Sequence, residues 1–143
     1  MLKDNIIENF RNLLYKEGFK MTAARLAVLE NVLSNDLHRE CEEIFDELIS
    51  KGVKISRATV YRTLDVLTKY EYVRKMDIGD GRIRYEKKIG TSHHDHMICI
   101  DTGDIIEFHN QEIEDLQDVI AKKHGYKVVR HVHQLFVKSI KKK

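Results

Sequence analysis

The sequence predicts an α+β fold in which a helical first half closes on a strand hairpin, as in a winged helix-turn-helix, and a mixed second half follows. Three observations lead there. Four stretches carry apolar residues at the 3,4 spacing of a helix face, two strand-like runs flank Gly79-Asp80-Gly81, and a dense run of metal-ligand side chains, His93-His94-Asp95-His96, precedes Cys99 and Glu107.

Ile6, Ile7, Phe10, Leu13 and Leu14 mark the inner face of the first helix, which Gly18 is placed to end. Thr22 can cap the second, whose inward residues are Leu26, Leu29, Val32 and Leu33. The third runs from about Glu40, buries Ile44, Phe45, Leu48 and Ile49, and stops at Gly52. Ser56 stands as N-cap of the fourth, with Val60, Leu64 and Leu67 facing inward. The short link from Gly52 to Ser56 is what joins the two helices of a helix-turn-helix. Tyr72 to Ile78 and Ile83 to Lys87 then read as the two strands of a wing around the Gly-Asp-Gly turn.

The 143 residues are 42% hydrophobic and 34% charged, the composition of an ordinary globular protein of one domain or two small ones. No apolar run approaches the roughly 18 residues needed to cross a bilayer, and Met1-Leu2-Lys3-Asp4 lacks the apolar core of a secretory signal. A cytoplasmic location without membrane partners is the expectation. Cys41 and Cys99 are far apart and define no disulfide framework. The net charge of +2 matters through its placement: Lys51, Lys54, Arg57, Arg62, Lys69, Arg74 and Lys75 face only Asp65 and Glu71 in that stretch. Such a stripe is the electrostatic footprint expected for a polyanion.

Chemistry concentrates in two places. In extended backbone, alternate side chains leave opposite faces, so His94 and His96 point one way and His93 and Asp95 the other, which offers ligands to two separate metal sites. Imidazole with carboxylate suits zinc, iron, manganese or nickel better than copper(I). At the start of the fourth helix, Arg57, Thr59, Tyr61 and Arg62 occupy the turns that reach base edges in a major groove. Arg62 can donate bidentately to guanine, Tyr61 can touch a thymine methyl or a phosphate, and Ser56 and Thr59 can bind backbone oxygens. Lys20 and Arg25 would position the duplex, and Arg82 and Arg84 in the wing would lie along the minor groove or phosphates.

The run Arg57-Ala58-Thr59-Val60-Tyr61-Arg62-Thr63-Leu64 resembles the recognition helix of the ferric uptake regulator family, and His93-His94-Asp95-His96-Met97-Ile98-Cys99 resembles that family's metal-binding hinge and strand. The resemblance covers nearly the whole chain. It implies a winged-helix DNA-binding domain over residues 1–88, with a hinge at its end, and a small α/β dimerisation and metal-binding domain over residues 89–143. It also implies an interdomain sensory site of His38, Glu86, His94, His96 and Glu107, and a second site of His93, Asp95, Glu114 and His131 within the dimerisation domain. The implied activity is that of a metal-dependent repressor of metal-uptake genes, a homodimer with a tetramer as the alternative, that binds double-stranded operator DNA and is not an enzyme.

Two departures stand out. Many members hold a structural zinc with paired CxxC motifs, but here Thr102 follows Cys99 three residues later and the tail has no cysteine, so a four-thiolate zinc cannot form. The dimer must then rest on apolar packing by Ile105, Ile106, Phe108, Ile113, Leu116, Ile120, Val128, Val129, Val132, Leu135 and Phe136, with the second metal site as a further support. The other is an additional histidine, His133, two residues beyond His131. Within the family, peroxide sensors typically place aspartate where Glu86 and Glu107 stand, and zinc-uptake regulators usually include a cysteine. Two glutamates and three histidines resemble the iron-responsive branch most, with Fe2+ as regulator, Mn2+, Zn2+ or Co2+ as substitutes in vitro, and Zn2+ admissible at either site. Zinc, manganese and peroxide regulators are the alternatives inside the class. A His-rich metalloenzyme is the alternative outside it, and it would need a nucleophile motif or pocket loop that the sequence does not display.

Overall fold

A computed structural model of the chain describes residues 4–90 and 93–140. The chain divides into two compact units, Met1–Thr91 and Ser92–Lys143, whereas the sequence reading divided it after residue 88.

The first unit runs α1 (Asp4–Lys16), α2 (Ala23–Leu33), β1 (Arg39–Glu40), α3 (Cys41–Ser50), α4 (Arg57–Lys69), β2 (Val73–Asp77) and β3 (Ile83–Lys87). Its helix ends follow local chemistry. After α1, the Phe19 N–H donates to Leu14 O at 2.8 Å and the Gly18 N–H to Tyr15 O at 3.0 Å, a paired closure that needs the left-handed backbone glycine supplies at φ +85°. Thr22 Oγ1 accepts from Arg25 N at 3.2 Å to open α2, and Ser56 Oγ accepts from Thr59 N at 3.1 Å to open α4. Phe10 and Leu14 of α1, Val28 and Leu29 of α2 and Val60 and Leu64 of α4 are wholly buried, and Ile44 and Leu48 bring α3 into the same core.

The inward faces differ in detail from the sequence reading. Val28 takes the place at the centre of α2 expected of Leu26, which is half-buried. Ile49 is 46% exposed and Phe45 half-buried, so α3 buries Ile44 and Leu48 alone.

The wing is a sheet of three strands rather than a two-stranded hairpin. β3 is central, antiparallel to β1 on one side and β2 on the other, with Arg39 opposite Tyr85 and Arg74 opposite Glu86. At the Gly79-Asp80-Gly81 turn, both glycines have positive φ, and Asp77 Oδ1 accepts from Gly79 N at 2.9 Å.

The second unit is a three-stranded sheet with one helix: β4 (Asp95–Cys99), β5 (Ile105–Phe108), α5 (Gln111–Lys123) and β6 (Gln134–Val137). β4 is central, antiparallel to β5 and parallel to β6. Asn110 caps α5 by accepting from Ile113 N at 3.1 Å. No residue of α5 is buried within this chain. Leu116, Ile120, Val129 and Phe136 are all more than half exposed, at 59%, 52%, 92% and 54%. Among the described residues, no helix is long and apolar enough to cross a membrane.

Candidate functional site

In the second unit the alternation along the histidine segment is carried into the fold. The regular strand begins only at Asp95, so His93 and His94 sit on the extended lead-in to β4. His131 and His133 likewise precede β6 and do not belong to it. His93, Asp95, Glu114 and His131 come together with one ligand atom each within 4.8 Å of the others. The parts come from the lead-in to β4, from β4 itself, from α5 and from the approach to β6.

The spacing within this cluster is informative. His93 Nε2 lies 3.1 Å from His131 Nε2, 3.4 Å from Asp95 Oδ1 and 3.3 Å from Glu114 Oε2. His131 Nε2 lies 3.0 Å from Asp95 Oδ1 and 3.4 Å from Glu114 Oε2. Four ligands at ~2.0 Å from a tetrahedral centre stand about 3.3 Å apart, and these five separations match five of the six edges of a tetrahedron of that size, as a zinc-like ion requires. Glu114 Oε2 is buried and makes no hydrogen bond among the described residues, which also fits a donor set short of a cation. The residues present therefore fit a small divalent ion held by two imidazoles and two carboxylates.

His94 and His96 leave the other face. Their rings meet edge to face at 4.9 Å, His94 Nε2 is 3.4 Å from Glu107 Oε2, and the β4–β5 register sets Glu107 directly opposite His96. His96 is buried and Glu107 exposed.

The first unit builds a separate pair. Because β1 aligns Arg39 with Tyr85, the next residues outward are His38 and Glu86, and His38 Nε2 reaches Glu86 Oε1 at 2.9 Å. Arg39 anchors this edge: its guanidinium donates to Asn31 Oδ1 at 2.6 Å and pairs with Glu47. Glu86 Oε2 lies 3.3 Å from Arg74 Nη1, a contact that sequence reasoning missed because it counted Arg74 in the basic stripe.

On α4, Arg57, Tyr61 and Arg62 are exposed, with Ser56 at the cap and Thr59 partly covered. The stripe is less free than its charge count implied. Lys51 pairs with Glu47, Arg57 with Glu42 and Lys69 with Glu17, at 3.0, 2.9 and 2.8 Å. Arg57 also stacks over Phe45 at 4.6 Å, and the Glu42 carboxylate beside it raises its already high pKa. Arg62 is exposed and has no ion pair among the described residues. Lys20 is exposed; Arg25 Nη1 donates to Lys20 O at 2.7 Å and stacks over Phe19. In the wing, Arg82 pairs with Glu40, and Arg84 is buried against Asp80, so neither arginine extends freely from the hairpin as the sequence reading had it. Arg84 lies on the central strand, which is covered on both sides.

Neither cysteine belongs to these groups. Burial pushes the Cys41 thiol up to about 11, which keeps it protonated near neutrality. The hydrogen bond with the Thr102 side chain holds the Cys99 thiol below its ordinary value.

Comparisons with known proteins agree on one family. The sequence matches the profile of the ferric uptake regulator family over residues 16–136. It is 38% identical over 135 residues to the ferric uptake regulation protein of Campylobacter jejuni, covering 93% of this chain and 85% of that protein. In structure it resembles the Helicobacter pylori ferric uptake regulator, described as having three functional metal-binding sites, with a TM-score of 0.85 at 32% identity, covering 96% of this chain and 91% of the other. The Francisella tularensis ferric uptake regulator, solved with iron, gives a TM-score of 0.76 at 30% identity over 86% of this chain and 93% of the other.

Proposed function

We propose, because this chain belongs to the ferric uptake regulator family and is a metal-responsive transcriptional regulator rather than an enzyme, that it is a cytoplasmic, homodimeric repressor whose grip on operator DNA rises when ferrous iron binds. The observation that carries this reading is the division of the ligands. His38 and Glu86 belong to one unit and His94, His96 and Glu107 to the other. A cation that takes both sets would tie the units into one arrangement, and it favours that arrangement only by as much as it binds it more tightly. What it supplies is charge and a fixed coordination shell. Three imidazoles and two carboxylates, with no thiolate, suit Fe2+ and also admit Mn2+, Zn2+ or Co2+.

The second site, formed within one unit by His93, Asp95, Glu114 and His131, is on this reading a Zn2+ site that stabilises its own domain. The tetrahedral spacing supports that assignment. The exposed large apolar side chains of the second unit, Leu116 and Ile120 on α5 and Leu135 and Phe136 on β6, support a dimer made by burying them, because exposed apolar surface of this kind is what an interface covers.

DNA reading falls to α4. On DNA selected in vitro by the Mn2+-loaded protein, Arg62→Ala is expected to cost about 1 to 3 kcal/mol and to relax preference at one base pair in each half-site. Lys20→Ala is expected to weaken binding to all sequences alike and to reduce the salt slope by about 1. Fluorescence anisotropy at several ionic strengths on matched and substituted sites separates the two. Equal loss of specificity in both variants would place the groove contact elsewhere.

A further inference from the structure

Glu86 sits on the central strand of the wing sheet with a different neighbour on each side. From β2, Arg74 stands directly across from it; from the edge beside β1, His38 reaches it. The carboxylate is divided between them: Oε1 faces His38 Nε2 at 2.9 Å and Oε2 faces Arg74 Nη1 at 3.3 Å. Its side chain is 3% exposed and that of Arg74 is 26% exposed. An ionised carboxylate this buried needs a countercharge, and a guanidinium provides one permanently because it does not lose its proton.

We propose that Arg74 is a built-in competitor of the regulatory metal, a fixed cation that lowers the affinity of Glu86 and His38 for a divalent ion and so sets the metal concentration at which the protein responds. The proposal rests on the reading of Glu86 as a sensory ligand. With a dication at Glu86, the guanidinium is held beside a second positive charge, or it leaves through its exposed side and gives up its partner. Both outcomes oppose binding. The contrary role, in which Arg74 helps by orienting the carboxylate, is weak in this geometry: a single contact at 3.3 Å lies beyond the usual range and lacks the two-pronged fit that gives an arginine–carboxylate pair its directional hold. Repulsion acts at longer range and needs no such alignment. Arg39 pairs with Glu47, Arg82 with Glu40, Arg84 with Asp80 and Lys87 with Asp36, and Lys75, next to Arg74 along β2, leaves the opposite face, so Arg74 is the cation the strand register assigns to this carboxylate.

The test uses the full chain with the second site kept filled with Zn2+, titrated with Mn2+ while free Mn2+ is counted by electron paramagnetic resonance. Arg74→Gln, which keeps a donor and removes the charge, is expected to bind Mn2+ about three- to thirtyfold more tightly. The Mn2+ concentration for half-maximal DNA binding should fall by the same factor. Arg74→Lys should stay near the parent. Arg74→Thr, whose branched side chain suits strand β2, must move in the same direction as Arg74→Gln, which guards against a folding defect in either. Unchanged or weaker Mn2+ binding in both neutral variants overturns the proposal. Glu86→Gln serves as the separate control: if it binds Mn2+ like the parent, the assignment of Glu86 to the sensory site fails instead.

Discussion

Changing His38 or His96 to Ala should abolish the metal-induced gain in operator affinity and leave the protein dimeric. The two residues lie in different units, and each would contribute one imidazole to a shared cation. Losing either disconnects one unit from the ion, so the loss should equal the whole coupling factor, on the order of 5- to 150-fold. Operator binding with and without Mn2+, paired with sedimentation on the same samples, checks both halves of the expectation. If either variant keeps the parent's response, the ion does not act by joining the two ligand sets. A variant that falls to monomers would instead reveal a structural role for that histidine.

Removing the second site should act on stability instead. In His93→Ala with His131→Ala, two corners of the 3.0–3.4 Å tetrahedron are lost, and all four ligands lie in one unit. A metal that binds only the folded state adds about 2.7 kcal/mol at a hundred times its Kd. The double variant should therefore melt lower than the zinc-loaded parent and should no longer respond to added Zn2+, yet it should retain most of the Mn2+ effect on DNA. Acid should erase the parent's advantage as well. Protons compete with the metal for imidazole and carboxylate, so the zinc-dependent rise in melting temperature shrinks as pH falls and returns as it rises. Zinc stabilisation surviving in the double variant would move the site elsewhere.

The helices were legible because their signals are local. Thr22, Ser56 and Gly18 each act on backbone groups within a few residues, and the structure uses all three as caps or stops. The expected burial of Ile49 failed because periodicity names a face and cannot say how much of it a neighbour covers. β1 was invisible for a different reason. Two residues have no period, and Arg39–Glu40 is a strand only through its pairing with β3. That same pairing places His38 against Glu86, which no local pattern could have indicated. Charge counting likewise took Arg74 for part of a solvent-facing stripe, since the count ignores cross-strand register. The split of His94 and His96 from His93 and Asp95 followed from alternation alone. Their partners Glu114 and His131 came only through family resemblance, because their approach to β4 depends on how α5 and the segment before β6 fold back.

The claim at the centre of this account is that one ion, held by side chains from both units, and the operator favour the same arrangement of the protein. Binding linkage makes this testable from the metal's side: whatever factor Mn2+ adds to operator affinity, saturating operator must add to Mn2+ affinity. The direct measurement is an Mn2+ titration of the zinc-filled protein, read by electron paramagnetic resonance, with and without operator DNA at fixed ionic strength. The account predicts that operator tightens Mn2+ binding by the same factor, between about 5- and 150-fold. An Mn2+ affinity that does not change when operator is added would contradict it.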